Sequence, residues 1–343
     1  MSTSTKFPST LLHTLKTHNA PINAVIYSSS PGTYLLTGSS DRSVHLSRAL
    51  PTSSTSTPQI TTSPIQKYEA HGYSVLDLAV STDNSRFASV GGDKQVFLWD
   101  VESGTTVRRW GGHSGRVEAV EFGGEGDSVV ISGSADSDVK IWDTRSLTSK
   151  PIQTLTEASD TVSSINVHLP TSSIITASYD GRIRTYDLRV GEVRVDVMAH
   201  PVTSIQGSAD GKAILASCLD GRIRMVDRDD GAVLNSFGDG NPDPSTSAST
   251  PGQSRQGPTY MNKELRIRST FAKGDSVVLS GSETPEANAS RDNAQASVLA
   301  WDVLTGSVIQ TVSAGAGVKV VSCVAWNEKG SSWAGGCSDG MLK

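Results

Sequence analysis

Along most of the chain, apolar residues come in short runs that alternate, or nearly alternate, with polar ones and are broken by turns rich in glycine and aspartate. That period of two predicts short β-strands. In the stretch HSGRVEAVEFGGEGDSVVISGSADSDVKIWD, from His113 to Asp143, Val117, Ala119, Val120 and Phe122 predict one strand and Val129 to Ser132 a second. Val139, Ile141 and Trp142 predict a third, with a turn over Gly123 to Asp127 and a tight polar turn at Asp136. The frame recurs on both sides. Asp93, Asp136 and Asp180 each stand six residues before an aromatic (Trp99, Trp142, Tyr186) and four after a hydroxyl (Ser89, Ser132, Thr176). His71 and His113 precede the first strand of their repeats.

The recurring set is therefore His71, Ser89, Asp93 and Trp99, then His113, Ser132, Asp136 and Trp142, then Thr176, Asp180 and Tyr186 without a histidine. A catalytic triad is assembled once. A set that returns repeat after repeat is read as structural, and its resemblance to the WD-repeat set implies a hydrogen-bonded chain inside each blade, each bond stabilising by roughly 1 kcal/mol and an unpaired buried carboxylate costing more. No phosphate-cradling glycine loop, metal set or unrepeated nucleophile–base pair stands out, so no catalytic residue, cofactor or metal is assigned.

The repeat is similar to that of WD-repeat β-propellers. The resemblance implies an all-β, seven-bladed propeller over residues 1–343, with Leu11 to Leu15 closing blade 7 as its outer strand. Blade 1 then runs from Ile22 to about Leu46, with Thr37 and Asp41 in place and Ser47-Arg48 where Trp-Asp would stand. Blades 2 and 3 are the best preserved, and blade 4 begins near Asp160. Blade 5 starts at His200, with Ala216 for the hydroxyl and Val226 for the aromatic. Blade 6 spans Tyr260 to about Val312, and there Ser280 is separated from Trp301 by an insertion. Blade 7 holds Val320 to Trp326, Trp333 to Cys337 and Asp339. An aromatic is expected at position 345, beyond Lys343, so the third strand should be cut short, the blade the least stable, and the natural product longer. Three polar insertions, at about 51–64, 238–258 and 284–295, are expected to be disordered.

Charge narrows the functional classes. A formal net charge of −5 lacks the broad positive surface that sequence-independent nucleic-acid binding requires, so no direct nucleic-acid contact is expected. The start, MSTSTKFPSTLL, has no apolar core of signal-peptide length, and no apolar run reaches membrane-spanning length; a soluble intracellular protein without membrane contact is expected. Cys218, Cys323 and Cys337 are too few and too scattered for a disulfide framework or a zinc site.

The stretches HGYSVLDLAVSTDNSRFASVGGDKQVFLWDVESG, VVISGSADSDVKIWDTRS, QTLTEASDTVSSINV and ASYDGRIRTYDLRVG resemble the mitogen-activated protein kinase organizer family of WD-repeat proteins, over nearly the whole chain and in the same blade order. That resemblance implies a non-catalytic scaffold of the cytoplasm and nucleus. Its expected partners are proteins of the extracellular-signal-regulated kinase cascade and of the spliceosome, with the propeller a monomer inside larger complexes. The residue before each turn aspartate should project from one face: Ser40, Gly92, Ala135, Tyr179 and Leu219. Tyrosine and arginine are favoured interface anchors, so Tyr179 and Leu219, flanked by Arg182, Arg184, Arg222 and Arg224 in two GRIR segments, mark an expected partner site. A second reading starts from Trp142-Asp143-Thr144-Arg145 and its echo Tyr186-Asp187-Leu188-Arg189. These are similar to the box by which receptors of cullin-4-type ubiquitin ligases dock on their adaptor, through Trp142, Asp143, Arg145, Asp187 and Arg189.

Overall fold

A computed structural model describes residues 7–50, 59–238, 260–284 and 295–343. In chain order the strands begin with β1 (His13–Leu15), β2 (Ile22–Tyr27), β3 (Tyr34–Ser39), β4 (Val44–Arg48), β5 (Gln59–Thr61) and β6 (Gln66–Tyr68). Next come β7 (Val75–Val80), β8 (Arg86–Gly91), β9 (Gln95–Asp100), β10 (Thr106–Gly111), β11 (Val117–Gly123), β12 (Val129–Ser134), β13 (Val139–Asp143) and β14 (Gln153–Leu155). β15 (Val162–His168), β16 (Ser173–Ser178), β17 (Arg182–Asp187), β18 (Glu192–Val197), β19 (Val202–Gly207), β20 (Ala213–Cys218), β21 (Arg222–Asp227) and β22 (Val233–Phe237) follow. The last are β23 (Ser269–Ala272), β24 (Val277–Gly281), β25 (Ser297–Asp302), β26 (Val308–Ser313), β27 (Val321–Asn327) and β28 (Ser332–Cys337).

Six four-stranded antiparallel sheets result, β2-β3-β4-β6, β7 to β10, β11 to β14, β15 to β18, β19 to β22 and β23 to β26. Their first strands lie side by side in order, and β27 sits between β23 and β2, closing a β-propeller. Apolar clusters fill the spaces between neighbouring sheets, as with Val117, Val120 and Trp142 against Val90, Leu98 and Trp110. Aliphatic side chains on both faces of each sheet make that stacking favourable, because a sheet left alone would expose one of them.

The same register irregularity recurs near the start of the first strands. β2, β7, β11, β15, β19 and β27 each skip one residue: Asn23, Leu76, Glu118, Ser163, Thr203 and Ser322. Such a bulge re-aims the skipped side chain. Asn23 Nδ2 donates to Val75 O at 2.7 Å, Ser163 Oγ to Val202 O at 2.5 Å, Thr203 Oγ1 to Ile267 O at 3.2 Å and Ser322 Oγ to Ile22 O at 2.5 Å. Each of these bonds ties one sheet to the next.

Two expectations need correction. Seven blades were expected, the seventh with its third strand cut short, whereas six four-stranded sheets form and the seventh position holds only the two-stranded β27–β28 hairpin. Leu342 bridges it on one side to Gly336 and on the other to Leu15 of β1, so the third strand is a single bridge. Residues 59–64 were expected within a disordered insertion, yet β5 pairs in parallel with β1 along His13 to Leu15. The remainder of that insertion, and nearly all of the other two, lie outside the described residues. Beside β28 an apolar cavity of about 320 Å³ is lined by Leu11, Leu15, Val321, Trp333 and Leu342. A two-stranded sheet next to a void has fewer contacts to lose on opening. Hydrogen exchange is expected to run faster in β27–β28 than in β11–β13; equal protection would contradict this.

Candidate functional site: polar chains beneath a partner-binding face

In the second and third sheets the expected set comes together in one geometry. Trp99 Nε1 donates to Ser89 Oγ at 2.8 Å, Ser89 Oγ stands 2.7 Å from His71 Nε2, and His71 Nδ1 stands 2.6 Å from Asp93. The corresponding distances are 2.8 Å for Trp142 to Ser132, 2.8 Å for Ser132 to His113 and 3.0 Å for His113 to Asp136. With the indole donating to the hydroxyl, the hydroxyl proton goes to Nε2, and Nδ1–H is left for the carboxylate. Ser89 and Ser132 are fully buried. No substrate reaches them, so the arrangement is a strut between strands.

The other sheets show what happens when a member is missing. In the first, His18 Nε2 meets Thr37 and His18 Nδ1 meets Asp41, both at 2.8 Å, while Ser47 Oγ, at the tryptophan position, is buried without a partner. In the fourth, Tyr186 Oη donates to Glu157 at 3.1 Å. Asp180 there is held by Arg184 Nη2 at 2.6 Å. In the fifth, His200 stays half-exposed at 3.8 Å from Asp220, and Arg224 Nη2 takes that carboxylate at 2.5 Å. Arg184 and Arg224 are 2% and 6% exposed, so neither belongs to a partner surface, contrary to expectation. Both stand four residues after the turn aspartate, where other sheets place His45, Phe97 and Lys140. A strand with its side chain turned toward the aspartate there admits either a cover for the histidine ring or a cation that replaces it. His45 stacks on His18 at 3.9 Å, and Phe97 tilts over His71 at 4.3 Å.

These contacts set a pH response. Burial, then the charge of His18, lowers His45 to about 4, and burial likewise lowers His113. Both fall below the ordinary imidazole value near 6.5, so their stabilisation is complete above that pH and is lost as pH falls below it, for His45 toward about 4. Burial would raise Asp41 and Asp136, but His18 and Ser43 around the first, and His113 and backbone N–H groups around the second, hold both below the usual carboxylate range. They extend the acid loss in the same direction. His45→Phe, which copies the Phe97 arrangement, is expected to reduce the drop in urea midpoint between pH 7 and pH 4.5; an unchanged drop would count against the assignment.

Above the polar chains lies the expected face. Ser40, Gly92, Ala135, Tyr179 and Leu219 are all half-exposed, Arg182 is exposed and Arg222 half-exposed. Tyr179 lies near Arg266, Glu118 and Arg116, and burial raises its phenol. At the opposite end of the sheets, Asp143 and Asp187 cap their turns through the N–H groups of Arg145 at 2.7 Å and Arg189 at 2.8 Å. Both arginine side chains are exposed. The thiols of Cys218, Cys323 and Cys337 are buried and free, and burial pushes them up to about 12, 11 and 12, which keeps them protonated. Among the described residues no group of three His, Cys, Asp or Glu could hold a metal ion.

Sequence reasoning missed a charged cluster spanning the propeller axis. Arg268 Nη1 reaches Asp77 Oδ1 at 2.5 Å and Arg268 Nη2 reaches Leu76 O at 2.9 Å. Arg266 Nη1 donates to Glu118 O at 2.6 Å and lies 3.4 Å from its carboxylate. Asp77 also accepts the N–H groups of Leu78 at 2.8 Å and Val120 at 3.1 Å. These arginines thus satisfy the carbonyls at Leu76 and Glu118, the two skipped residues whose own side chains make no stitch to the next sheet. A charge just before a first strand (ELRIRST) was the available signal, but nothing local says that it faces a cluster far away in sequence.

The family model described as WD domain, G-beta repeat matches residues 9–46, 62–100, 104–143, 149–187 and 192–227. The WD repeat domain-containing protein 83 of Homo sapiens is 35% identical over 313 residues, 91% of this chain and 85% of its own length. A WD repeat domain-containing protein 83 homolog of Dictyostelium discoideum is 29% identical over 78% of this chain and 81% of its own. The guanine nucleotide-binding protein subunit beta of Arabidopsis thaliana is 30% identical over 42% of this chain and 41% of its own.

Proposed function

Because this chain belongs to the WD-repeat family of WD repeat domain-containing protein 83, we propose that it is a non-catalytic scaffold gathering components of a mitogen-activated kinase cascade and of the spliceosome. Propellers of this repeat are typically interaction platforms rather than enzymes. The observation that carries the reading is the contrast between layers: in the second and third sheets the histidine and serine are buried and the aspartate nearly so, while the residue before each turn aspartate is half-exposed. The ring is read as seven-bladed, the seventh built from β27, β28, residues 341–343 and β1. What supports this is the place of β27 between β23 and β2. A cytoplasmic and nuclear distribution goes with these partners.

Tyr179, Leu219, Arg182 and Arg222 are the proposed partner site, in fourth and fifth blades that share one rim. Truncating two such anchors should weaken capture by about 2 kcal/mol or more, roughly thirtyfold. Tyr179→Ala with Leu219→Ala is therefore expected to reduce recovery of kinase-cascade and splicing proteins in affinity purification with mass spectrometry, at an unchanged melting temperature. Unchanged recovery of every partner would sink the site.

The exposed guanidinium groups of Arg145 and Arg189 favour a second reading, that of a receptor for a cullin-4-type ubiquitin ligase. On it, Arg145→Ala with Arg189→Ala abolishes adaptor binding and spares the other partners. Adaptor binding that survives both replacements excludes it.

A further inference from the structure

The outer strand of a sheet offers unpaired N–H and C=O groups to solvent, and proteins blunt such edges by keeping them short, bulged or charged. Most outer strands here are blunted. β6 and β14 have three residues each, and β10, β22 and β26 are each broken against their neighbour by a register shift. β18 has neither protection. Its six residues, Glu192–Val197, pair with β17 without a shift, and it is the last strand of its sheet. Val193, Val195 and Val197 are 42%, 46% and 68% exposed, all on one side of the strand. Met198 N donates inward to Gly181 O, so the alternation of an antiparallel strand turns the backbone groups of the three valines outward.

The order Glu-Val-Arg-Val-Asp-Val is complementary to itself when run antiparallel about Val195. Val195 then faces Val195 of another copy, Val193 faces Val197, and Arg194 faces Asp196. The valines fall in the hydrogen-bonded pairs and the charges in the pairs whose side chains stand closer, the better place for an ion pair. Arg194, one-third exposed, already lies 3.1 Å from Asp196 of its own strand, so pairing builds a ladder of four alternating charges. The two registers centred on a charge are penalised: centring on Arg194 sets Glu192 against Asp196 and Arg194 against itself, and centring on Asp196 sets that aspartate against itself.

We propose that β18 pairs with β18 of a second copy across a two-fold axis, joining two propellers through one continuous sheet. The contact is small, so the dimer forms only at raised concentration, and it departs from the monomer expected from sequence. The test is sedimentation equilibrium of the full chain from about 1 µM to about 200 µM, a span suited to an interface below the usual stable size. The expected result is a mass rising from monomer to dimer. Val195→Lys, which sets like charges at the axis of an exposed strand, should remain monomeric throughout, with an unchanged circular dichroism spectrum. Arg194→Asp and Asp196→Arg should each weaken association when alone. Mixed in equal amounts they should dimerise again, because every cross-axis pair is then of opposite charge. A wild-type chain that stays monomeric overturns the proposal and leaves the edge to an unlike strand. Dimers that persist in Val195→Lys, or a mixture no more associated than its parts, overturn it as well.

Discussion

Replacing Arg268 with methionine is expected to lower the free energy of unfolding by about 3–5 kcal/mol, the range measured when one partner of a buried ion pair is removed. The loss has two sources. Asp77 would keep a charge with little water around it, and the Leu76 carbonyl, 2.9 Å from Arg268 Nη2, would lose its donor. Asp77→Asn in the same background removes the stranded charge and keeps one of the two oxygens, which accept separately from Leu78 N–H and Val120 N–H. The double variant should therefore be less destabilised than the sum of the singles, by about 1 kcal/mol or more, as expected for groups in direct contact. Urea denaturation of the four proteins measures this. Additive losses would mean that the two groups do not act as a pair.

Asp136→Ala in the third blade is expected to cost about 3 kcal/mol. The carboxylate accepts from Ser114 N at 2.7 Å and from Asp138 N at 3.1 Å, besides His113 at 3.0 Å, so its removal orphans three donors at once. The same replacement at Asp220, in the fifth blade, is expected to act differently. There the chief partner is Arg224, so the variant should be rescued in part by Arg224→Met, whereas His200→Ala should change little because His200 stands 3.8 Å away and half in solvent. A fifth blade that depends on His200 as the third depends on His113 would refute the substitution of arginine for histidine.

The sequence by itself determined the strands and turns of the inner blades. Period-two apolar runs between glycine- and aspartate-rich turns leave a chain few other ways to bury its side chains, and the steps from Ser132 to Asp136 and to Trp142 predict a contact that strand pairing enforces. Those steps lie within one hairpin, where separation along the chain nearly equals separation in space. For the same reason the fourth and fifth blades were visible as departures, one without the histidine and the other with Ala216 for the hydroxyl and Val226 for the aromatic. Their remedy was not: GRIR reads as an exposed basic edge, and only the direction in which β17 and β21 point Arg184 and Arg224 turns those two inward. The tertiary structure alone decided three further matters: the clasp of Arg266 and Arg268 on Glu118 and Asp77, the parallel pairing of β5 with β1, and the bare edge of β18. The first two depend on closing the ring. Closure brings together residues with no local relation, at distances that no spacing along the chain encodes.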